Sequence, residues 1–386
     1  MIIAPERIVF GSSRVLPGEG LAVLVTEGII AAVAPLAQLI ADHPAETVEQ
    51  FPGATLLPGL IDLHVHLGYD GKVQGSDSEY LWALSAARMM RAALDAGVTT
   101  VRDVGSRDGL AASVRRAAAA GYLKTPRIVS CNQGICMTGG HGADVAGIAA
   151  ECDGEWEIRK AIRRQFREGA DWIKILTSEG YRGEELTQHE LDAAVDECHR
   201  MGRKCAAHAG YPPSVAMCIR AGFDTIEHGT YLTVEQAHDM AQNGQTWVST
   251  IIAFASIAES YLAGGPGYGD ATEYIVRAAE AYRDNFKKLY DTGVRVACGT
   301  DQMLPGSPVC PVAGECGYMV RFGITPLQAI ECATKNAADT LGLGESLGQI
   351  RPGYCADLLL TDGDPAQDIS ALHRVRAVWR EGVRVV

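Results

Sequence analysis

Short apolar segments alternate with longer amphipathic segments from about Thr55 to Gly344, and this alternation constrains the fold more than any other feature. It is typical of repeated β-α units that build a parallel sheet. The segments of strand length are Leu60 to His66, Thr99 to Val104, Arg127 to Cys131, Trp172 to Leu176, Lys204 to His208, Thr225 to His228, Thr246 to Ile251 and Arg295 to Gly299. Eight strands that alternate with helices close into a barrel, so we predict an α/β fold with a (β/α)8 TIM-like barrel.

Both ends of the chain depart from this pattern, because Gly and Pro break them into short strand-like runs. Leu21 to Val25 is one such run near the start, and Ala356 to Thr361 is another near the end. We expect residues 1–55 and 346–386 to form one small β-sandwich domain, with residues 56–345 inserted between them as the barrel.

The composition is that of a soluble globular enzyme, with 47% apolar and 21% charged residues. A formal charge of −13 argues against nucleic acid and anionic membranes as partners. The start of the chain lacks the features of a signal peptide, so we expect a cytoplasmic protein. In a reducing compartment its 11 cysteines are expected to be mostly buried apolar residues. For Cys310 and Cys316, a reactive or metal-binding role is the alternative.

Residue types that bind metals fall at the ends of five predicted strands, where the active site of such a barrel is built. His64 and His66 end the first strand, and residues two apart on a strand point to the same side. Both imidazoles can therefore share one metal. The alternative is that these histidines satisfy hydrogen bonds in the core.

Lys174 lies within an otherwise apolar predicted strand, where an unmodified and unpaired lysine is costly to bury. One interpretation is that the amine reaches solvent at the strand end. The other is that it has reacted with CO2, and that the resulting carbamate bridges two divalent metals. His208 and His228 end the fifth and sixth strands and would bind the second metal. Asp301 ends the eighth, where it can bind the first metal and accept a proton from a bridging water.

This order of HxH, Lys, His, His and Asp resembles the binuclear branch of the amidohydrolase superfamily. Three short sequence segments, Leu57 to Asp62, Gly97 to Asp103 and Ala356 to Leu358, resemble motifs of one group in this superfamily. That group contains prolidase-like dipeptidases, carboxypeptidases and imidazolonepropionase-like enzymes. The resemblance covers nearly the whole chain. It implies two divalent metal ions, with zinc as the expected metal. It also implies a carboxylated Lys174 and a homo-oligomer.

The resemblance also implies three residues that contact the substrate. Tyr211 is similar to a tyrosine that polarises the scissile carbonyl, although a Tyr before two prolines is also a common rigid turn. His141 lies in a glycine-rich loop similar to one that meets the substrate near the metals. Arg182 follows Lys174 in a loop that departs from the family pattern, and it either binds a substrate carboxylate or is an exposed cation.

The expected activity is hydrolysis of an amide bond in a dipeptide or N-acyl amino acid, by attack of a metal-bridging hydroxide. A cyclic amide, a urea or a carbamate is the alternative substrate of the same site. A mononuclear deaminase is a second class of enzyme, against which Lys174 argues, because those relatives generally lack this lysine. A non-catalytic scaffold is a third class, against which the intact ligand set argues.

Overall fold

A computed structural model describes residues 1–143, 145, 147–178, 183–301 and 308–386. Its strands are β1 (Ile2–Ile8), β2 (Gly18–Glu19), β3 (Leu21–Thr26), β4 (Ile29–Pro35), β5 (Val48–Pro58), β6 (Leu60–Val65), β7 (Val98–Asp103), β8 (Arg127–Ser130), β9 (Gly134–Cys136), β10 (Ala149–Glu151), β11 (Trp172–Leu176), β12 (Lys204–Ala209), β13 (Thr225–His228), β14 (Thr246–Val248), β15 (Arg295–Ala297), β16 (Leu358–Asp362), β17 (Val375–Arg380) and β18 (Val383–Arg384).

Most helices surround the barrel strands, whereas the first one packs against the sheet formed by the chain ends. They are α1 (Leu36–Asp42), α2 (Glu79–Asp95), α3 (Leu110–Ala119), α4 (Gly154–Arg167), α5 (Gln188–Arg200), α6 (Pro212–Ala221), α7 (Val234–Asn243), α8 (Ile251–Leu262), α9 (Ala271–Tyr290), α10 (Val312–Arg321), α11 (Pro326–Ala333) and α12 (Lys335–Leu341), with a short 3-10 helix at Ile369–His373. Within the described ranges, none of these helices combines the length and apolar character that crossing a membrane requires.

Eight parallel strands form the barrel, as predicted. β6, β7 and β8 pair in one sheet, and β11 to β15 pair in order in a second. Two backbone hydrogen bonds join the sheets into a cylinder: Asp171 N donates to Ser130 O at 2.7 Å, and Leu63 N donates to Cys298 O at 3.0 Å. The carboxyl ends of all eight strands therefore meet at one mouth.

The seventh barrel strand is shorter than predicted. β14 ends at Val248, and α8 begins at Ile251. Thr250 between them has a φ of 49°, in the left-handed region, so the extended backbone cannot continue through it. Two further short strands, β9 and β10, follow β8, and β9 pairs with β11 at a single position. The sequence had not suggested either strand.

Both ends of the chain pair in one mixed sheet, in the order β18-β17-β16-β5-β1-β3-β4, with β2 beside β1. β5 is parallel to β1 on one side and antiparallel to β16 on the other. Alternate residues of β1 enter different apolar clusters, since Ile3 packs in one and Ile2 in another, beside Leu39 of α1. Strands from both chain ends therefore share one sheet, and the domain bounds 1–55 and 346–386 stay a prediction.

The cysteines are free thiols, and all but Cys355 are buried. Cys310 and Cys316 belong to the main apolar cluster, with exposed fractions of 3% and 0%. Both therefore contribute to the packing of the core.

Candidate metal centre

His64 and His66 lie at the carboxyl end of β6 and converge on one carboxylate. The Nδ1 atom of His64 is 2.8 Å from Glu227 Oε2, and that of His66 is 2.8 Å from Gly105 O. The Nε2 atoms of both rings face Asp301 Oδ1, at 3.6 Å from His64 and 3.4 Å from His66. The two histidines thus share one side of the mouth, as their spacing predicts.

Asp301 and His228 have backbones in the left-handed region, with φ values of 47° and 63°. Residues other than glycine adopt this conformation at a cost, and such strain concentrates at functional sites. The hydrogen bond from Asp301 N to His64 O, at 2.9 Å, holds this turn against β6. Donor atoms of His64, His228 and Asp301 lie within 4.8 Å of one another, which brings ligands predicted for the two metals into one centre.

Lys174 is wholly buried in β11, and its Nζ has no hydrogen-bond partner among the described residues. Burial lowers its pKa to about 8, against the opposing effect of Glu227 and Asp301. The buried Oδ1 of Asp301 likewise accepts no hydrogen bond within the described ranges. Unsatisfied buried polar atoms cost about 1–3 kcal/mol each. A metal ion would satisfy the Asp301 oxygen, and a carbamate formed on the Lys174 amine would offer it oxygen ligands, so the residues present fit a metal centre.

His208 and His141 extend the cluster across the mouth. The ring of His208, at the end of β12, lies 4.4 Å from that of His228, centroid to centroid. The ring of His141 lies 4.0 Å from that of His208, and its backbone N donates to Glu185 Oε2 at 2.8 Å. The structure thus brings His141 to the predicted ligands. That these residues bind metal or substrate stays a prediction.

The structure gives less information about Tyr211 and Arg182, the other two residues predicted to contact the substrate. Tyr211 is half-buried, precedes the first turn of α6, and its hydroxyl makes no hydrogen bond to the described residues. That Tyr211 contacts the substrate stays a prediction. Arg182 lies outside the described residues, and its predicted role stays a prediction.

Two charged residues beneath the predicted ligands were not identified from the sequence. Glu227 precedes His228 in β13, Arg102 lies in β7, and both have exposed fractions of 0%. Nη2 of Arg102 donates to Glu227 Oε1 at 2.7 Å. Burial tends to raise the pKa of Glu227, but Arg102 and the His64 hydrogen bond outweigh it and hold that pKa well below its usual range. A charged residue inside an apolar strand was the available signal in both cases.

Asp62 is a third such group, wholly buried in β6. It accepts hydrogen bonds from His64 N at 3.1 Å and from Thr300 N at 3.0 Å. Burial raises its pKa to about 7. Asp62 therefore ties the backbone of the first barrel strand to the turn that carries Asp301.

His199 belongs to a separate cluster at the opposite end of the barrel, where β12 and β13 begin. Its Nε2 lies 3.0 Å from Asp224 Oδ2, which also accepts from Cys205 N at 2.9 Å. His199 lies near the end of α5 with an exposed side chain. The carboxylate of Asp224 links it to the starts of both strands.

This cluster predicts a pH-dependent contribution to stability. Hydrogen bonding to Cys205, and then to Asp224, raises the pKa of His199 to about 9. A raised pKa in the folded state stabilises the fold fully below the ordinary pKa of about 6.5, and the contribution is lost as the pH rises through about 9. Urea unfolding of wild type and His199→Gln should therefore show a stability difference at pH 6 that shrinks by pH 10. A difference independent of pH would contradict this assignment.

Comparisons with known proteins agree with this geometry. The model of the amidohydrolase family matches residues 55–385. Ochratoxinase from Aspergillus niger is 30% identical, covering 95% of this chain and 84% of its own. Imidazolonepropionase from Cutibacterium acnes is 26% identical, covering 95% and 87%. A crystal structure of a Xaa-Pro dipeptidase with methionine in its active site has a TM-score of 0.88 at 30% identity, covering 99% of this chain and 98% of that one.

The family match spans all eight barrel strands and every strand end that carries a side chain of the metal-binding type. The relatives also cover the small sheet domain, since their alignments extend over nearly the whole chain. The chain therefore belongs to the amidohydrolase family, in the group related to prolidase and imidazolonepropionase, and is a hydrolase that acts on carbon-nitrogen bonds.

Proposed function

We propose that the protein uses two divalent metal ions to cleave the amide bond of a dipeptide or N-acyl amino acid, releasing the C-terminal amino acid. The observation that carries this proposal is the buried, unpartnered amine of Lys174 among the described residues, next to a cluster of imidazoles and one carboxylate. Nitrogen and oxygen donors of this kind suit zinc.

The ligand set divides between two sites. His64, His66 and Asp301 would hold one ion, and His208 and His228 the other. The Lys174 amine would add to CO2, forming a nitrogen-carbon bond and losing a proton, and the carbamate would supply oxygen ligands to the metal centre. A pKa lowered to about 8 supports this step, because it raises the fraction of neutral amine at physiological pH.

When bound, the metals would lower the pKa of a shared water and polarise the substrate carbonyl. Burial tends to raise the pKa of Asp301, but His64 and then His66 and His228 hold it well below its usual range. Its carboxylate is therefore ionised at neutral pH and able to take the proton from the attacking water. It would return that proton to the leaving nitrogen as the carbon-nitrogen bond breaks.

Tyr211→Phe is expected to lower kcat more than it raises KM. In this proposal the Tyr211 hydroxyl donates to the carbonyl oxygen as negative charge develops there, and loss of one such donor costs about 10²–10³ in kcat. Steady-state kinetics on a dipeptide substrate would measure the split. A variant with unchanged kcat and a raised KM would show that Tyr211 only binds the substrate.

Two relatives support the choice of substrate, because a Xaa-Pro dipeptidase and ochratoxinase are each 30% identical to this chain. The similarity to imidazolonepropionase favours a second candidate, a cyclic amide. Zinc-supplied enzyme would be incubated with dipeptides, N-acyl amino acids, cyclic amides, ureas and carbamates, and the products identified by mass spectrometry. Release of free C-terminal amino acids supports the proposal, whereas ring opening or urea cleavage alone would replace it with the second candidate or a related one.

A further inference from the structure

The imidazoles at the metal centre differ in the group that contacts their Nδ1 atom. Nδ1 of His66 faces a backbone carbonyl, that of Gly105, at 2.8 Å. Nδ1 of His228 faces the Thr250 hydroxyl at 2.7 Å. Among these three, His64 is the one whose Nδ1 has a carboxylate oxygen, Glu227 Oε2, within hydrogen-bond distance, at 2.8 Å. A carboxylate partner fixes the ring and makes the imidazole a stronger ligand, so His64 is set apart.

That carboxylate, Glu227, is held by a second charged group. Arg102 donates to Glu227 Oε1 at 2.7 Å, to Leu63 O at 2.7 Å and to Thr225 Oγ1 at 3.1 Å. Its guanidinium also lies 4.9 Å from the centre of the Trp172 ring. Because these contacts fix the guanidinium, Oε1 of Glu227 stays bonded to Arg102. The other oxygen, Oε2, is left for His64.

We propose that Arg102 and Glu227 form a positioning pair that sets His64 in the tautomer with the proton on Nδ1, so that Nε2 presents its lone pair to the metal. This inference rests on the proposed metal centre. Because the Glu227 carboxylate forms an ion pair with Arg102 at 2.7 Å, its other oxygen accepts, and Nδ1 of His64 donates to it. Nε2, on the side of Asp301, is then the free nitrogen.

Glu227→Gln replaces the acceptor that faces Nδ1 of His64 with a donor, and the side chain keeps almost the same shape. Arg102 has only donors, so it retains the single amide oxygen, and the amide NH2 turns toward His64. Facing a donor, Nδ1 becomes the acceptor and the proton moves to Nε2, where it blocks the metal. We expect zinc affinity to fall about 10–100-fold, as is typical when such a partner of a ligand is lost.

Zinc affinity would be measured by competition with a chelator, on wild type and Glu227→Gln. Glu197→Gln is the matched control, because Glu197 is also wholly buried and also accepts from arginine, here from Arg163 at 2.6 Å and from Arg200 at 2.7 Å on the outer helices. We expect the control to lower the unfolding midpoint of the metal-free protein while keeping wild-type zinc affinity. Glu227→Gln should lose zinc affinity even if its unfolding midpoint stays as high as that of the wild type.

The tautomer is read directly from the imidazole nitrogen shifts of His64 by NMR, in metal-free wild type, with His64→Asn to assign the signals. This measurement needs no Glu227 variant, so it tests the inference even if that variant fails to fold. A proton on Nδ1 supports the inference, and a proton on Nε2 overturns it, as does wild-type zinc affinity in Glu227→Gln. Wild-type protein that binds no zinc would instead contradict the proposed function.

Discussion

Asp301→Asn is expected to lower kcat by about 10²–10⁴, the usual contribution of a positioned acid-base group. Asparagine has nearly the same shape and keeps one oxygen near His64 and His66, so metal should remain bound. It cannot take a proton from water or return one to the leaving nitrogen. Turnover and metal content, measured on the same preparation, would separate these two functions of the side chain.

Asp224→Asn is the matched control for this substitution. Asp224 lies at the opposite end of the barrel, where it bonds to His199 and to the backbone of Cys205. The control is expected to lose stability and to keep its kcat once folded. Normal turnover in Asp301→Asn would exclude Asp301 as the proton carrier.

Lys174→Ala is expected to abolish metal binding and, with it, activity. Alanine removes the amine on which the carbamate would form, and with it two oxygen ligands. Addition of a small carboxylic acid such as acetate or propionate should restore part of the activity, because its two oxygens can occupy the vacated volume. Metal content by atomic spectroscopy, with and without the acid, measures both effects.

Lys204→Ala provides the comparison on the neighbouring strand. Nζ of Lys204 donates to Thr340 O at 2.8 Å, at the far end of the barrel from the metal centre. This variant should keep its metal and show no rescue by carboxylic acids. Full metal content in Lys174→Ala would contradict a bridging carbamate.

The barrel was predictable because burial on both faces leaves a clear mark on the sequence. A parallel strand such as β11 is an almost continuous apolar run, and the intervening helices carry the 3.6-residue period. The end of β14 was not predictable in this way. It depends on the left-handed backbone of Thr250, and no local apolar pattern encodes that conformation.

The candidate ligands were predictable because each lies at the end of its own strand. Their partners were not, because these depend on closure of the barrel. Glu227 and His64 are 163 residues apart, and only the curvature of the sheet brings β13 opposite β6. The contacts of Arg102 with β6 and β13 were not predictable either, because they join residues that are far apart in the sequence. Such interior ion pairs are read from geometry alone.

The position of β5 between β1 and β16 also governs how the chain folds as it is synthesised. β5 ends at Pro58, whereas its antiparallel partner begins only at Leu358. At about 5–20 residues per second, a ribosome needs roughly 15–60 s to extend the chain from Pro58 to Leu358. One edge of β5 stays open throughout that interval, and an open strand edge is a template for aggregation. Nascent chains interrupted before β16 should therefore depend on chaperones far more than completed ones.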